Sequence, residues 1–376
     1  MDSKTAENLK EEYMLRAVRL AEKGTGWTSP NPLVGAVIVK DGRIIGEGWH
    51  HRYGDLHAER DALKNCTEDP KGADIYVTLE PCCHHGKQPP CTDALIEAGI
   101  SRVIIGSSDP NPLVAGKGVR ILKEHGISVV EDFLKDECDS LNDIFFYYIT
   151  RGLPYVAMKY AMTADGKIAC YTGLSKWVTG EEARKHVHSL RHKYTGIMAG
   201  INTVLTDDPM LNCRLENTRD PVRIICDSSL RIPLDSQIVK TAGQYRTIVA
   251  ACSPDEEKVR RLSDSGVEVI DINKVKTDGA APDFKQVDIR TLMEELCRRK
   301  IDSILLEGGA ALNWSVLEAG LVNKVYAYIA PKIFGGENAR SPVAGEGFPE
   351  PDKAVMLKNA EITRLGDDIL LEAECS

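Results

Sequence analysis

The stretch "LEPCCHHGKQPPC", residues 79–91, crowds three cysteines and two histidines together. That is more metal-type side chains than one ion needs. The reading of Cys82, Cys83, His84, His85 and Cys91 therefore depends on what the rest of the chain adds. Upstream, "HAE" (residues 57–59) opens a stretch of helical character, "HAERDALKNC". Cys82 and Cys91 are expected at, or just before, helix starts, where the helix dipole favours a thiolate. His57, Cys82 and Cys91 then supply three ligands of zinc type. They leave a fourth tetrahedral position open for water, the arrangement of a catalytic centre. Bound zinc lowers the pKa of such a water to roughly 7. Glu59 is needed beside it as the general base and cannot be spent as a fourth ligand.

The cluster alone is equally compatible with a closed structural site that recruits Cys83, His84 or His85, and with thiols that bind nothing. The upstream "HAE" favours catalysis. One geometric condition comes with it. Residues two apart on a regular helix point about 200° apart, so His57 and Glu59 share a site only at a helix end.

Working outward, "GAVIVKDGRIIGEG" is two apolar runs around Asp41-Gly42, a hairpin signal. Residues 7–23 place Tyr13, Met14, Ala17, Leu20 and Ala21 at helical spacing. "DIYVTLE" and "RVIIGSSD" read as strands, "CTDALIEAG" and "GKGVRILKEHG" as helices closed by Gly99 and Gly126, and "ISVVE" as a further strand. This alternation predicts a three-layer α/β domain. "LKDECDSLNDIFFYYITRG" reads as one helix, and the Gly152–Pro154 break places a domain boundary there, giving domains 1–150 and 151–376. In the second half "YVAMKYAM", "GIMAG", "VRIICD", "RTIVAAC", "VEVID", "SILLEGG" and "KVYAYIAPKIFG" are strand candidates, and 274–286 reads as a loop. "SILLEGGAALNWSVLEAG" runs a strand into Gly-Gly and a helix. Such a turn lets a backbone approach a phosphate, although many strand–helix turns contain Gly-Gly. No G-x-G-x-x-G follows a strand.

With 376 residues, 43% hydrophobic and 27% charged, the chain is long enough for two domains of ordinary globular composition. A net charge of −9 argues against a nucleic-acid partner. The amphipathic, acidic N-terminus lacks the apolar core of a signal peptide, and no apolar run reaches a membrane span. These features lead us to expect a cytoplasmic protein without a membrane partner. Of eleven cysteines, the eight outside the 79–91 cluster are expected to be reduced and mostly buried.

"HAE", then Pro-Cys and a further Cys, resembles the zinc-dependent nucleobase deaminases. The wide spacing from Cys82 to Cys91, together with "NPLVGAVIV" (31–39) and "DPNPLVAGKG" (109–118), resembles the deaminase half of the bacterial bifunctional riboflavin-biosynthesis enzymes, the RibD/RibG family. The family usually has Ser at Cys83 and Thr at Gln88, which makes Cys83 a spectator. "LPYVAMKYAMTADGKI", "SKWVTG", "GINTVLTDDPMLNCR" and "LLEGGAALN" resemble the reductase half of the same family. Asp208 stands where the family commonly has Asn.

The resemblance implies a cytidine-deaminase-like three-layer domain followed by a dihydrofolate-reductase-like α/β domain, with Zn2+ and NADPH as cofactors. It implies deamination of a 2,5-diamino-6-ribosylamino-pyrimidinone 5′-phosphate, then reduction of the ribosyl group to ribityl. Small-molecule substrates and a homo-oligomer are further implications. Asn31, His50, Lys87, Asp109 and Asn111 match positions that contact the first substrate. Ser175, Arg191, Leu211, Arg214 and Glu307 match positions that contact the second. Ala161, Trp177, Thr203, Asp207 and the 309–315 loop (Gly309, Ala310, Ala311, Leu312 and Asn313 among them) match NADPH contacts. From its place on an inward-facing strand position, Lys159 is expected to act in catalysis or to orient substrate.

Two rival readings remain. A nucleic-acid-editing deaminase would want a basic surface. A zinc-stapled scaffold would explain neither "HAE" nor the second half.

Overall fold

The computed structural model describes residues 10–84, 88–111, 114–275 and 283–375. The chain divides after Arg151 into two compact units.

In the first unit, helix α1 (Glu11–Ala21) precedes strands β1 (Gly35–Lys40) and β2 (Arg43–Trp49), α2 (Ala58–Lys64), β3 (Asp74–Leu79), α3 (Cys91–Glu97), β4 (Arg102–Ser107), α4 (Lys117–Glu124) and β5 (Ser128–Val130). The β1–β2 turn is left-handed at both Asp41 (φ 49°) and Gly42 (φ 72°), which matches the twist of an antiparallel pair. The sheet order is β2-β1-β3-β4-β5, and β3, β4 and β5 run parallel. Alternation along β1 sorts its side chains to two faces. Val37 and Val39 pack with Met14, Ala17 and Leu20 of α1. Ala36 and Ile38 share the opposite core with Ala58, Ala62, Leu95 and Leu122 of α2, α3 and α4. These are the three layers. At Gly48 of β2 a Cβ would lie 2.2 Å from the Ala62 backbone nitrogen, so glycine there lets α2 lie directly on the sheet.

The stretch read as one helix is two: α5 (Lys135–Asp139) and α6 (Asp143–Arg151). Asn142 separates them. Its Oδ1 accepts from Leu33 N–H (2.8 Å) and its Nδ2 donates to Leu33 O (2.9 Å). A polar side chain spent on a distant backbone outweighs local helix continuity.

The second unit follows as β6 (Tyr155–Thr163), α7 (Glu181–Lys193), β7 (Gly196–Gly200), α8 (Ile201–Asp207), β8 (Val222–Cys226), α9 (Gln237–Lys240), β9 (Thr247–Ala251), α10 (Glu256–Asp264), β10 (Val267–Asp271), α11 (Ile289–Arg298), β11 (Ser303–Leu306), α12 (Ala310–Glu318), β12 (Lys324–Ala330), β13 (Leu357–Leu365) and β14 (Asp368–Cys375). The order is β10-β9-β8-β7-β11-β6-β12-β14-β13. Pairing is parallel from β10 through β12 and antiparallel at β14 and β13. Sequence reading missed the β13–β14 hairpin, because β13 is exposed along its length and carries no apolar run. Part of the 274–286 loop lies outside the described residues. Asn273, just before the loop, holds Phe284 within it through both the N–H and the C=O of Phe284.

None of the eleven cysteines is joined in a disulfide. Of the eight outside the cluster only Cys138 and Cys213 are buried, so the expectation of mostly buried thiols is corrected. Among the described residues no helix is long and apolar enough to cross a membrane.

Candidate active sites

His57 is the N-cap of α2, with extended backbone (φ −73°, ψ 160°). It lies outside the helical rotation, while Glu59 lies in the first turn. This meets the geometric condition: both side chains line one cavity of about 260 Å³. His57 Nδ1 is 3.4 Å from Cys82 Sγ and 3.4 Å from Cys91 Sγ. The three ligand atoms lie within 4.8 Å of one another. One imidazole and two sulfurs, converging at the end of a cavity, fit a zinc ion with one position left to solvent or substrate. Among the described residues this is the one such cluster, and Cys83 is outside it.

Cys91 is the first residue of α3. Cys82 is not at a helix start, which corrects the sequence reading. It sits in the loop after β3, and its sulfur reaches a helix start through space, 3.4 Å from Cys91 N–H. Its carbonyl accepts from Cys91 and Thr92 N–H. A hydrogen bond from the Cys91 thiol, with His57 beside it, brings the Cys82 thiol down to about 4. The same contact and burial push Cys91 up. Burial raises the Glu59 carboxyl, which is 3% exposed.

Asn31, His50, Asp109 and Asn111 line the same cavity. His50 Nδ1 lies 3.0 Å from Leu56 O, a group that only accepts, so Nδ1 carries the proton. Nε2 then accepts from Asn31 Nδ2 at 3.1 Å, which fixes the Asn31 amide. Burial lowers the His50 pKa and keeps the ring neutral. Asp109 Oδ1 accepts from Asn111 N–H (2.8 Å), and burial pushes its carboxyl up to about 6. Lys87 and His85 lie outside the described residues. His84 lines the cavity but not the three-ligand cluster.

Among the lining residues that escaped sequence reading are Glu80 and Gln88. Glu80 Oε2 accepts from Gly116 N–H (2.9 Å) and Oε1 from Val119 N–H (3.3 Å), tying the Cys82 loop to the start of α4. Gln88 Nε2 donates to Gly54 O (3.1 Å) across the cavity mouth. Both work through backbone partners, which leave no mark in side-chain patterns.

In the second unit, β7, β11 and β6 are adjacent and parallel, so the residues following them gather at one sheet edge, where α/β folds place ligands. Glu307 follows β11. Arg191 of α7 donates to it through Nε (2.8 Å) and Nη2 (3.0 Å). Lys159 Nζ of β6 lies 3.6 Å from Glu307 Oε2, the oxygen that also accepts from Arg191 Nη2, with both side chains largely buried. Burial pushes the Glu307 carboxyl up, but Arg191 and Lys159 overcome this and hold it at about 2. Burial lowers Lys159. The bidentate fork of Arg191 is spent on Glu307, and Nη1 donates to Asn212 O (3.0 Å). Of the two arginines matched to the second substrate, Arg191 thus has its guanidinium engaged within the protein, while Arg214 is exposed.

Leu211 is buried with a left-handed backbone (φ 48°). Gly308 and Gly309 differ. A Cβ on Gly308 would meet Leu312 at 3.0 Å and Asn313 Oδ1 at 3.2 Å, so packing explains that glycine. A Cβ on Gly309 would meet only Thr203 Oγ1, at 3.8 Å, and its φ of −69° suits any residue. Neither strain nor packing accounts for Gly309. The opening of α12 (Ala310, Ala311, Leu312, Asn313) follows it, and Asn313 Oδ1 is buried without a hydrogen-bond partner. An open glycine at a helix start beside the Thr203 hydroxyl fits a dinucleotide phosphate region, whereas Asn313 Oδ1, an acceptor, calls for a hydrogen-bond donor and not for a phosphate oxygen. Ala161 lies on β6 opposite Tyr328. Asp207 ends α8, exposed, and Asp208 takes the left-handed cap position (φ 40°) that Asn and Asp tolerate. Trp177 is 66% exposed with Arg184 stacked on it, and half-buried Ser175 precedes it in the same loop. No hydrogen bond among the described residues joins Ser175, Trp177 or Asp207 to the Lys159–Arg191–Glu307 cluster.

Family comparisons agree with both halves. Residues 7–107 match the cytidine and deoxycytidylate deaminase zinc-binding region, and residues 154–371 match the RibD C-terminal domain. Riboflavin biosynthesis protein RibD of Actinobacillus pleuropneumoniae is 55% identical over 96% of this chain and 94% of its own. The solved Acinetobacter baumannii RibD (form 1) is 36% identical, with TM-score 0.85 over 97% and 98% of the two chains. A Thermotoga maritima diaminohydroxyphosphoribosylaminopyrimidine deaminase/5-amino-6-(5-phosphoribosylamino)uracil reductase is 38% identical, with TM-score 0.80 over 97% and 98%. A zinc-type His/Cys/Cys cavity in one unit, a charged strand-end cluster in the other and relatives of this length together establish that the chain belongs to the RibD family, bifunctional deaminase–reductases of riboflavin biosynthesis.

Proposed function

We propose that this bifunctional enzyme, which uses zinc and NADPH, deaminates 2,5-diamino-6-ribosylamino-4(3H)-pyrimidinone 5′-phosphate in its first unit and reduces the ribosyl group of the deaminated uracil in its second. The observation that carries the reading is the convergence of His57, Cys82 and Cys91 ligand atoms within 4.8 Å of one another, with His57, Cys82 and Glu59 lining one cavity. His57, Cys82 and Cys91 hold the zinc, which supplies Lewis acidity and lowers the pKa of water to about 7. Glu59 takes a proton from the attacking water, passes it to the ring nitrogen and assists departure of ammonia. Net, water adds at the amino-bearing ring carbon and ammonia leaves. The neutral His50–Asn31 pair, Asp109, Asn111 and Lys87 orient the pyrimidine.

In the second unit bound NADPH would supply the hydride that reduces C1′ of the ring-opened imine. Gly309, Thr203 and the start of α12 accept the cofactor's phosphates, with Ala161, Trp177 and Asp207 completing its site. Lys159, held by Glu307, orients the ribosyl group and supplies the proton taken up by the imine nitrogen as C1′ is reduced to the amine. Arg191 holds Glu307. Arg214 presents its fork to the 5′-phosphate, and Ser175 and Leu211 flank the substrate. A cytoplasmic homo-oligomer is the proposed assembly. Exposed apolar residues on and beside β13, such as Ile362 (75% exposed) and Met356 (62%), support self-association, which sedimentation equilibrium tests.

Metal analysis with ammonia-release assays on Cys82→Ser and Cys83→Ser tests the first half. Cys82→Ser is expected to lose zinc and deamination, and Cys83→Ser to keep both. The reverse pattern would overturn the ligand set.

A further inference from the structure

Three side chains on one face of α7, His188, Arg191 and His192, all reach the segment 212–219 that carries Arg214. His188 Nδ1 lies 3.2 Å from Arg214 N–H. His192 Nδ1 lies 2.8 Å from Arg219 N–H. Arg191 Nη1 donates to Asn212 O (3.0 Å), and Cys213 Sγ donates to His188 O (3.2 Å). The spacing i, i+3, i+4 puts the three on one stripe. A backbone N–H only donates, so both Nδ1 atoms must be unprotonated acceptors and each ring carries its proton on Nε2. For His188, burial and the nearby Arg191 and Arg214 charges lower the pKa to about 4, which holds the ring in that form. Within the segment, Cys213 N–H also donates to Asp220 (2.8 Å), and Asn217 adopts φ 52°.

We propose that His188, with His192 as second anchor, is a positioning residue of the reductase half: its Nδ1 clamps the Arg214 backbone and so fixes where that guanidinium meets the substrate phosphate. The inference rests on the Arg214 reading above. Neither histidine touches the reacting atoms in this scheme.

Steady-state reduction of pre-deaminated substrate by the full-length chain tests it. His188→Ala should raise KM for that substrate roughly three- to tenfold, the worth of one hydrogen bond, with kcat and the NADPH dissociation constant little changed. His188→Asn places an acceptor oxygen near the Nδ1 position and should restore KM, whereas His188→Gln places its oxygen nearer Nε2 and should not. In an Arg214→Ala background the His188→Ala penalty should vanish, because both act through one contact. A penalty undiminished in that background overturns the clamp, as does equal behaviour of the Asn and Gln variants. If Arg214→Ala raises KM but His188→Ala does not, the clamp fails and the phosphate reading stands. If Arg214→Ala leaves KM unchanged, both fall.

Discussion

Glu307 is the residue on which the charged centre of the second unit depends. Its carboxylate faces a guanidinium bidentately and an ammonium at 3.6 Å, largely away from water. Removing it leaves two buried cations without a counter-charge, which typically costs about 3–5 kcal/mol. Glu307→Gln should therefore lower the unfolding temperature of the reductase half as well as its activity. The pH sign follows from the depressed carboxyl. Its folded value of about 2 lies below the ordinary 4.5, so its contribution is fully present above pH 4.5 and is lost as pH falls toward 2. Thermal melts of wild type and Glu307→Gln should show a gap that narrows across that window. A gap constant with pH would mean that Glu307 does not stabilise through its charge. At this scale the sequence was legible where residue type and spacing bring side chains together, as for His57, Cys82 and Cys91, and for Glu59 in the cavity that His57 and Cys82 line. It was not legible where a side chain serves a distant backbone or a distant charge. Glu80, His188 and the Arg191–Glu307 fork, 116 residues apart, are of that kind.

Among elements, the Gly308-Gly309 turn gives a separable pair of expectations. Gly308→Ala forces a carbon to 3.0 Å from Leu312 and 3.2 Å from Asn313, so it should destabilise by about 1 kcal/mol, as modest overpacking does. At Gly309 an added Cβ meets only an ordinary contact distance and the backbone is allowed for any residue, so the melting temperature of Gly309→Val should stay near wild type. Its side chain should instead raise the NADPH dissociation constant about tenfold or more, a loss of ~1.4 kcal/mol, readable by fluorescence titration. Equal NADPH affinity in Gly309→Val and wild type would remove the turn from the cofactor site. Helices and buried strands were legible here through periodicity and glycine stops. The split between α5 and α6 was not, because Asn142 answers to Leu33 across the unit rather than to its neighbours. The β13–β14 hairpin was hidden by its exposure, although "RLGDDILLE" holds a turn signal of the kind that marked Asp41-Gly42.

For the whole molecule, two compact units divided after Arg151, each with its own cores and its own site, imply chemistry that can be separated. A 152–376 fragment is expected to fold and bind NADPH, and a fragment ending at Arg151 to retain one zinc. Failure of the former to fold would make the units interdependent. The most direct measurement is a paired assay of full-length Glu59→Gln, reading ammonia release from the diaminopyrimidinone substrate and NADPH oxidation with the pre-deaminated uracil. Zinc content should be unchanged, ammonia release should fall at least a thousandfold, about 4 kcal/mol of lost transition-state stabilisation, and NADPH oxidation should match wild type. Ammonia release within tenfold of wild type, or loss of both activities with zinc retained, would contradict a deaminase site built on Glu59 beside an independent reductase.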